Sequence, residues 1–114
     1  YTKWNHKEEI QMAVVKLTAE NFEKEVLQSE KPVLVDFYAD WCGPCQMMGP
    51  VVEEISNEVN DAKVCKINID EQMSIAQKYG VMSIPTFIVF KNGDVADKKM
   101  GAMPKSAVLS MLGQ

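Results

Sequence analysis

The pentapeptide Trp41-Cys42-Gly43-Pro44-Cys45 restricts what this chain can fold into more than any other stretch. Two cysteines at this spacing can close into a small disulfide ring and open again. The residues before them, Pro32-Val33-Leu34-Val35-Asp36-Phe37-Tyr38, read as a buried strand. The run Val33-Leu34-Val35 is apolar throughout, as a strand covered on both faces requires. The residues after them, Gln46 to Val59, read as a helix. A Cys-x-x-Cys at a strand-to-helix junction puts the first sulfur at a helix N-terminus. Unsatisfied N–H groups and the macrodipole favour an anion there. The thiolate is the reactive form of cysteine, so the position suits a redox thiol.

A chain of 114 residues makes one domain with room for one real core. The formal net charge is −4, and all 12 basic residues are lysine. With no arginine for bidentate phosphate contacts, nucleic acid is not an expected partner. No run reaches the roughly 18 apolar residues of a membrane-spanning helix, so no membrane partner is expected either. Three cysteines are too few for a disulfide scaffold and leave one over. A reducing compartment follows, and cytoplasmic localisation is the expectation. Tyr1 to Met12 is polar and charged, without the apolar core of about 7–15 residues that a secretory signal needs. We treat 1–12 as an N-terminal extension and 13–114 as the domain.

From Ala13 onward strand and helix patterns alternate. Ala13 to Leu17 is a short β-branched strand, and Thr18 is placed to cap a helix from Ala19 to Gln28 with Phe22, Val26 and Leu27 on one face. Pro50 falls inside the second helix, beside Gly49, and predicts a kink. Lys63 to Asn68 is the next strand. Asp70 is placed to cap a helix from Glu71 to Tyr79, which Gly80 ends. Thr86 to Phe90 and Val95 to Met100 are strands joined by Asn92-Gly93, a strong two-residue hairpin signal. Pro104 suits the first turn of a last helix that carries Val108, Leu109 and Leu112 inward. The order is β-α-β-α-β-α-β-β-α, an α/β class ending in an antiparallel hairpin.

Several stretches together resemble the thioredoxin family over essentially all of Ala13 to Leu112. They are Val35 through Cys45, Lys66-Ile67-Asn68-Ile69-Asp70, Tyr79 through Thr86, Phe90-Lys91-Asn92-Gly93 and Met100-Gly101-Ala102, in the family's order and spacing. The resemblance implies the thioredoxin fold: a single central mixed five-stranded sheet in the order β1-β3-β2-β4-β5, flanked by four helices, two on each face, with β4 antiparallel to both neighbours. It implies a thiol-disulfide oxidoreductase that reduces protein disulfides through Cys42 and Cys45, with no bound cofactor. Reducing equivalents would come from NADPH through a flavoprotein thioredoxin reductase. The expected partners are that reductase and disulfide-containing proteins, and the expected state is a monomer. Gly-Pro between the cysteines resembles the reducing members of the superfamily.

Cys42 is expected to attack and Cys45, one helical turn further in and less exposed, to resolve the mixed disulfide. Pro44 fixes φ in the first turn. Asp36 interrupts an apolar strand, and a buried unpaired carboxylate should have a raised pKa. The resemblance makes it a proton relay for Cys45, with Lys66 in the facing strand as its expected partner or else a lysine reaching to solvent. Ile84-Pro85-Thr86 resembles the family's cis-proline loop, whose exposed backbone at Ile84 can pair with an extended substrate. Trp41, Gly43, Pro44, Met82, Ile84, Pro85, Gly101 and Ala102 would then outline a shallow apolar groove. Met82 and Met103 are expected to widen its substrate range, whereas Met47, Met48 and Met111 read as core.

The chain also departs from the family's pattern. Tyr38 stands where many members carry a second tryptophan, Gln46 replaces a basic residue after the second cysteine, Gly49 replaces a helix former, and Cys65 is additional. Two other readings compete: a binding subunit whose thiols are incidental, and a zinc module built from Cys42, Cys45, Cys65 and His6. Neither has the motif context on its side.

Overall fold

A computed structural model describes residues 14–114, and the expected extension lies outside them. The elements run β1 (Val14–Lys16), α1 (Glu23–Leu27), β2 (Val33–Tyr38), α2 (Gly43–Glu58), β3 (Lys63–Asn68), α3 (Met73–Lys78), β4 (Thr86–Lys91), β5 (Asp94–Met100) and α4 (Lys105–Met111). The five strands form one sheet in the order β1-β3-β2-β4-β5. β1 and β2 run parallel to β3, while β4 is antiparallel to β2 and to β5.

Side-chain alternation builds two cores. Val33, Val35 and Phe37 of β2, Cys65 and Ile67 of β3, and Ile88 and Phe90 of β4 pack with Phe22 and Val26 of the α1 segment and Ala76 of α3. Leu34, Val64, Phe87 and Val89 face the other way, onto Met48, Val52 and Ile55 of α2 and Val108 and Met111 of α4. Each fully buried Leu, Val or Phe side chain contributes about 1.5–3 kcal/mol. Phe90 adds edge-on contacts with Phe22 and Tyr79, at centroid distances of 6.0 and 5.2 Å. Asn92 and Gly93 both take positive φ, 53° and 84°, as the tight hairpin demands.

Three expectations about helices need correction. The first helix does not begin at Ala19. Asn21 accepts from the Thr18 N–H and donates to the Lys16 carbonyl, a local loop that competes with helical bonding. The helix is instead the short, wide segment Glu23–Leu27, closed by Gln28 N–H to Glu23 C=O at 2.9 Å. Thr18 still accepts from the Asn21 N–H, as a cap should. Next, α3 begins at Met73 and Asp70 does not cap it; Asn68 Oδ1 instead accepts from the Asp70 and Glu71 N–H groups. Last, Leu109 of α4 is only partly buried, whereas Val108, Met111 and Leu112 are buried. Helix α2 runs on through Pro50.

Candidate active site

The site is assembled where β2 gives way to α2. Cys42 is the N-cap of α2, with extended backbone at φ −90° and ψ 112°. Its sulfur accepts a hydrogen bond from the Cys45 N–H at 3.2 Å. Pro44 sits in the first turn, where its missing N–H leaves nothing unpaired. Cys42 and Cys45 are joined in a disulfide, with Cα atoms 5.2 Å apart. The expected difference in exposure is absent, because each cysteine is only 5% exposed. Tyr38, Ile69 and Ile84 pack around the pair and cover both. What distinguishes them is bonding: only Cys42 sulfur takes a helix N–H, and it lies 3.8 Å from the Ile84 carbonyl oxygen.

That carbonyl belongs to the loop before β4. The Ile84–Pro85 peptide is cis. Thr86 Oγ1 donates to the Ser83 carbonyl, and the Gly101 N–H donates to the Pro85 carbonyl at 2.8 Å. Gly101 needs its missing side chain here, at φ +96°. The structure therefore brings Ile84, Pro85 and Gly101 together beside Cys42, with Gly43 and Pro44 exposed on α2 and Ala102 exposed after β5. Trp41, 70% exposed, is held by its indole N–H donating to Asp70 Oδ2 at 2.8 Å. Asp70 is thus a site residue that sequence reasoning missed, since a carboxylate before a helix reads first as a cap. Gln46 donates to the Asp40 carbonyl at 2.8 Å and ties the entry turn to α2.

Asp36 lies under this site. It shares a sheet face with Leu34, towards α2, and is 4% exposed. Its Oδ1 has no hydrogen-bond partner. Burial pushes the carboxyl up from its ordinary value of 3.8 to about 7, against an opposing pull from Lys66. Asp36 and Lys66 are register partners across β2 and β3, yet no ion pair joins them among the described residues. Lys66 is therefore not the direct partner of Asp36 that the sequence predicts. The Lys66 ammonium stands over the Tyr38 ring, 5.8 Å from its centroid, and the side chain is half-buried. The long stem carries the charge past the carboxylate, which feels it only as a field. Asp36 and Cys45 share the wall of a cavity of about 270 Å³ with Tyr38, Ala39, Gln46 and Lys66.

The remaining candidates separate. Cys65 is fully buried in the other core, and burial pushes its thiol up to about 12. It is inert packing, remote in environment from the disulfide. Among the described residues no three His, Cys, Asp or Glu side chains are grouped for a metal, and His6 lies outside them. Met48 and Met111 are core, but Met47 is 72% exposed, contrary to expectation, because it falls on the outer face of α2. Met103 packs partly against the α2–α4 core. Met82 is open to solvent. Among the described residues no helix is long and apolar enough to cross a membrane.

A family model described as Thioredoxin matches residues 13–114. A thioredoxin from Rickettsia felis is 48% identical over 99 residues, covering 86% of this chain and 94% of that protein. A thioredoxin from Pyropia yezoensis is 48% identical over 104 residues, covering 90% and 97%. Thioredoxin 1 of Synechococcus elongatus is 50% identical over 97 residues, covering 84% and 91%.

Proposed function

The chain belongs to the thioredoxin family and is a thiol-disulfide oxidoreductase; from that premise we propose how its own residues divide the work of reducing protein disulfides. Cys42 thiolate attacks one sulfur of the substrate disulfide. A Cys42–substrate disulfide forms and the other substrate sulfur leaves as a thiolate, which picks up a proton. Cys45 then attacks Cys42 sulfur, the Cys42–Cys45 bond forms, and the second substrate thiol is released. The observation that supports this order is the α2 N-cap: the Cys45 N–H points at Cys42 sulfur, so the helix end stabilises negative charge on that sulfur.

Cys45 must lose a proton before it can attack, and Asp36 is the group to take it. A carboxyl at about 7 is a matched base near neutral pH. The cavity the two residues share has room for the bridging water. Lys66 acts on this step only through its field. Trp41, Gly43, Pro44, Met82, Ile84, Pro85, Gly101 and Ala102 form the surface on which the substrate chain lies, with the Ile84 backbone as its strand-like partner.

No cofactor needs to be bound for this exchange. We propose that the disulfide is reopened by a flavoprotein thioredoxin reductase drawing on NADPH, that the protein acts as a monomer in the cytoplasm, and that residues 13–114 suffice. The test is dithiothreitol-driven reduction of insulin. Turnover is expected from the native chain and none from Cys42→Ser or Cys45→Ser. Turnover that survives loss of both cysteines would leave a binding role with incidental thiols.

A further inference from the structure

Six large apolar side chains are exposed among the described residues: Trp41, Met47, Met73, Met82, Val95 and Met100. Four of these are methionine, and their positions are not scattered. Met47 lies early in α2, Met73 opens α3, Met82 lies in the loop before β4, and Met100 ends β5. β2 and β3 are parallel, and β4 and β5 alternate against them, so all four places fall at the end of the sheet that carries the disulfide.

Two of the four are tied closely to the reacting sulfur. Ile84 carbonyl oxygen lies 3.8 Å from Cys42 sulfur, and Met82 is two residues from Ile84. A residue spans at most about 3.6 Å, so the Met82 Cα lies within about 7 Å of the Ile84 Cα. Between them, Ser83 donates its hydroxyl to the Met100 sulfur at 3.2 Å. Met82 is 92% exposed and Met100 is 61% exposed. The pair therefore flanks the backbone of Ile84, the strand-like partner proposed for a substrate chain.

We propose that Met82 and Met100 are peroxide-modification sites that regulate docking of protein substrates on this face. The inference rests on the oxidoreductase reading and assigns the regulation of that same surface. The methionine sulfur attacks one oxygen of hydrogen peroxide. The O–O bond breaks, sulfur gains the S=O oxygen and loses two electrons, and the other oxygen leaves as water. The product is methionine sulfoxide, a polar group where an apolar one stood. Covering it without a partner penalises every docked chain. The disulfide chemistry itself uses neither methionine. Met82 reacts first, since its sulfur is open to solvent, whereas the Met100 sulfur has a lone pair engaged by Ser83. The buried Met48 and Met111 are spared.

The test starts from the Cys42–Cys45 disulfide form, so that the reactive thiols are already protected. The full chain is treated with graded hydrogen peroxide, peroxide is removed, and the sample is mapped by peptide mass spectrometry. Activity is then measured with dithiothreitol toward insulin and toward a small aromatic disulfide. The chain carrying both Met82→Leu and Met100→Leu is treated in parallel, each protein being compared with its own untreated sample. Leucine keeps an apolar surface that peroxide cannot oxidise. The expected result is oxygen on Met82 before Met100, a loss of about ten-fold in kcat/KM toward insulin with the small disulfide little changed, and no such loss in the double variant. An unaltered ratio between the two substrates in oxidised native chain overturns the proposal. So does an equal loss in the double variant, or an unmodified Met82. Absence of insulin reduction before any peroxide would instead overturn the oxidoreductase reading on which it stands.

Discussion

At the scale of single residues the molecule sets a costly carboxylate against a useful one. Asp36 is 4% exposed, its Oδ1 has no protein partner, and no ion pair among the described residues offsets its burial. In the unfolded chain the carboxyl ionises near 3.8, in the folded protein near 7. Between those values the unfolded state binds fewer protons than the folded one, so stability falls as pH rises through the window and levels off above it. Asp36→Asn is therefore expected to unfold later in urea than the native chain by about 1–3 kcal/mol at pH 8. The advantage should shrink to nothing near pH 4. The same variant should reduce insulin more slowly, and its rate should lose the rise near pH 7 that an Asp36 base imposes. If Asp36→Asn is less stable at pH 8, the carboxylate is a structural acceptor and the account of its role fails. The existence of this tension was legible in the sequence, as a carboxylate inside Val33-Leu34-Val35-Asp36-Phe37. The failure of Lys66 to pair with it was not, because register fixes where two Cα atoms lie and leaves the direction of a long lysine stem to local packing.

At the scale of elements, glycines separate shape from contact. Gly101 sits at φ +96° while its N–H bonds the Pro85 carbonyl, so any Cβ strains the turn that holds the cis loop. Gly43 is an ordinary first-turn residue of α2, and a Cβ there meets nothing within 4 Å. Gly101→Ala should cost about 1–2 kcal/mol in urea unfolding. Gly43→Ala should be neutral or stabilising by up to about 1 kcal/mol. Equal losses in both would mean that the turn carries no special backbone requirement. The strands are legible in the sequence because β2, β3 and β4 are apolar runs bounded by turn residues. Helix starts are less legible. Thr18 and Asn21 near α1, and Asn68 and Asp70 near α3, are all side chains able to accept backbone N–H groups, and composition does not say which one does. Asn68 accepts from the Asp70 and Glu71 N–H groups, while the Asp70 carboxylate accepts from Trp41 instead of capping α3.

At the scale of the whole molecule, one sheet with two helices on each face puts every reactive group at one end. Two apolar cores flank the sheet, and the chemistry lies in a third, smaller cluster of Ala39, Cys42 and Cys45. We propose that residues 13–114 act alone. A chain lacking 1–12 is expected to reduce insulin at the native rate, and a loss beyond about three-fold (about 0.7 kcal/mol) would assign the leading segment a part in the site. The most direct test of the central claim is the division of labour between the two sulfurs. Cys45→Ser and Cys42→Ser are each incubated with a disulfide-containing protein, and the covalent adducts are counted by mass spectrometry over time. The N-cap geometry predicts rapid accumulation of a mixed disulfide on Cys42 in Cys45→Ser, and little or none on Cys45 in Cys42→Ser. Adducts forming on Cys45 at an equal rate would contradict it.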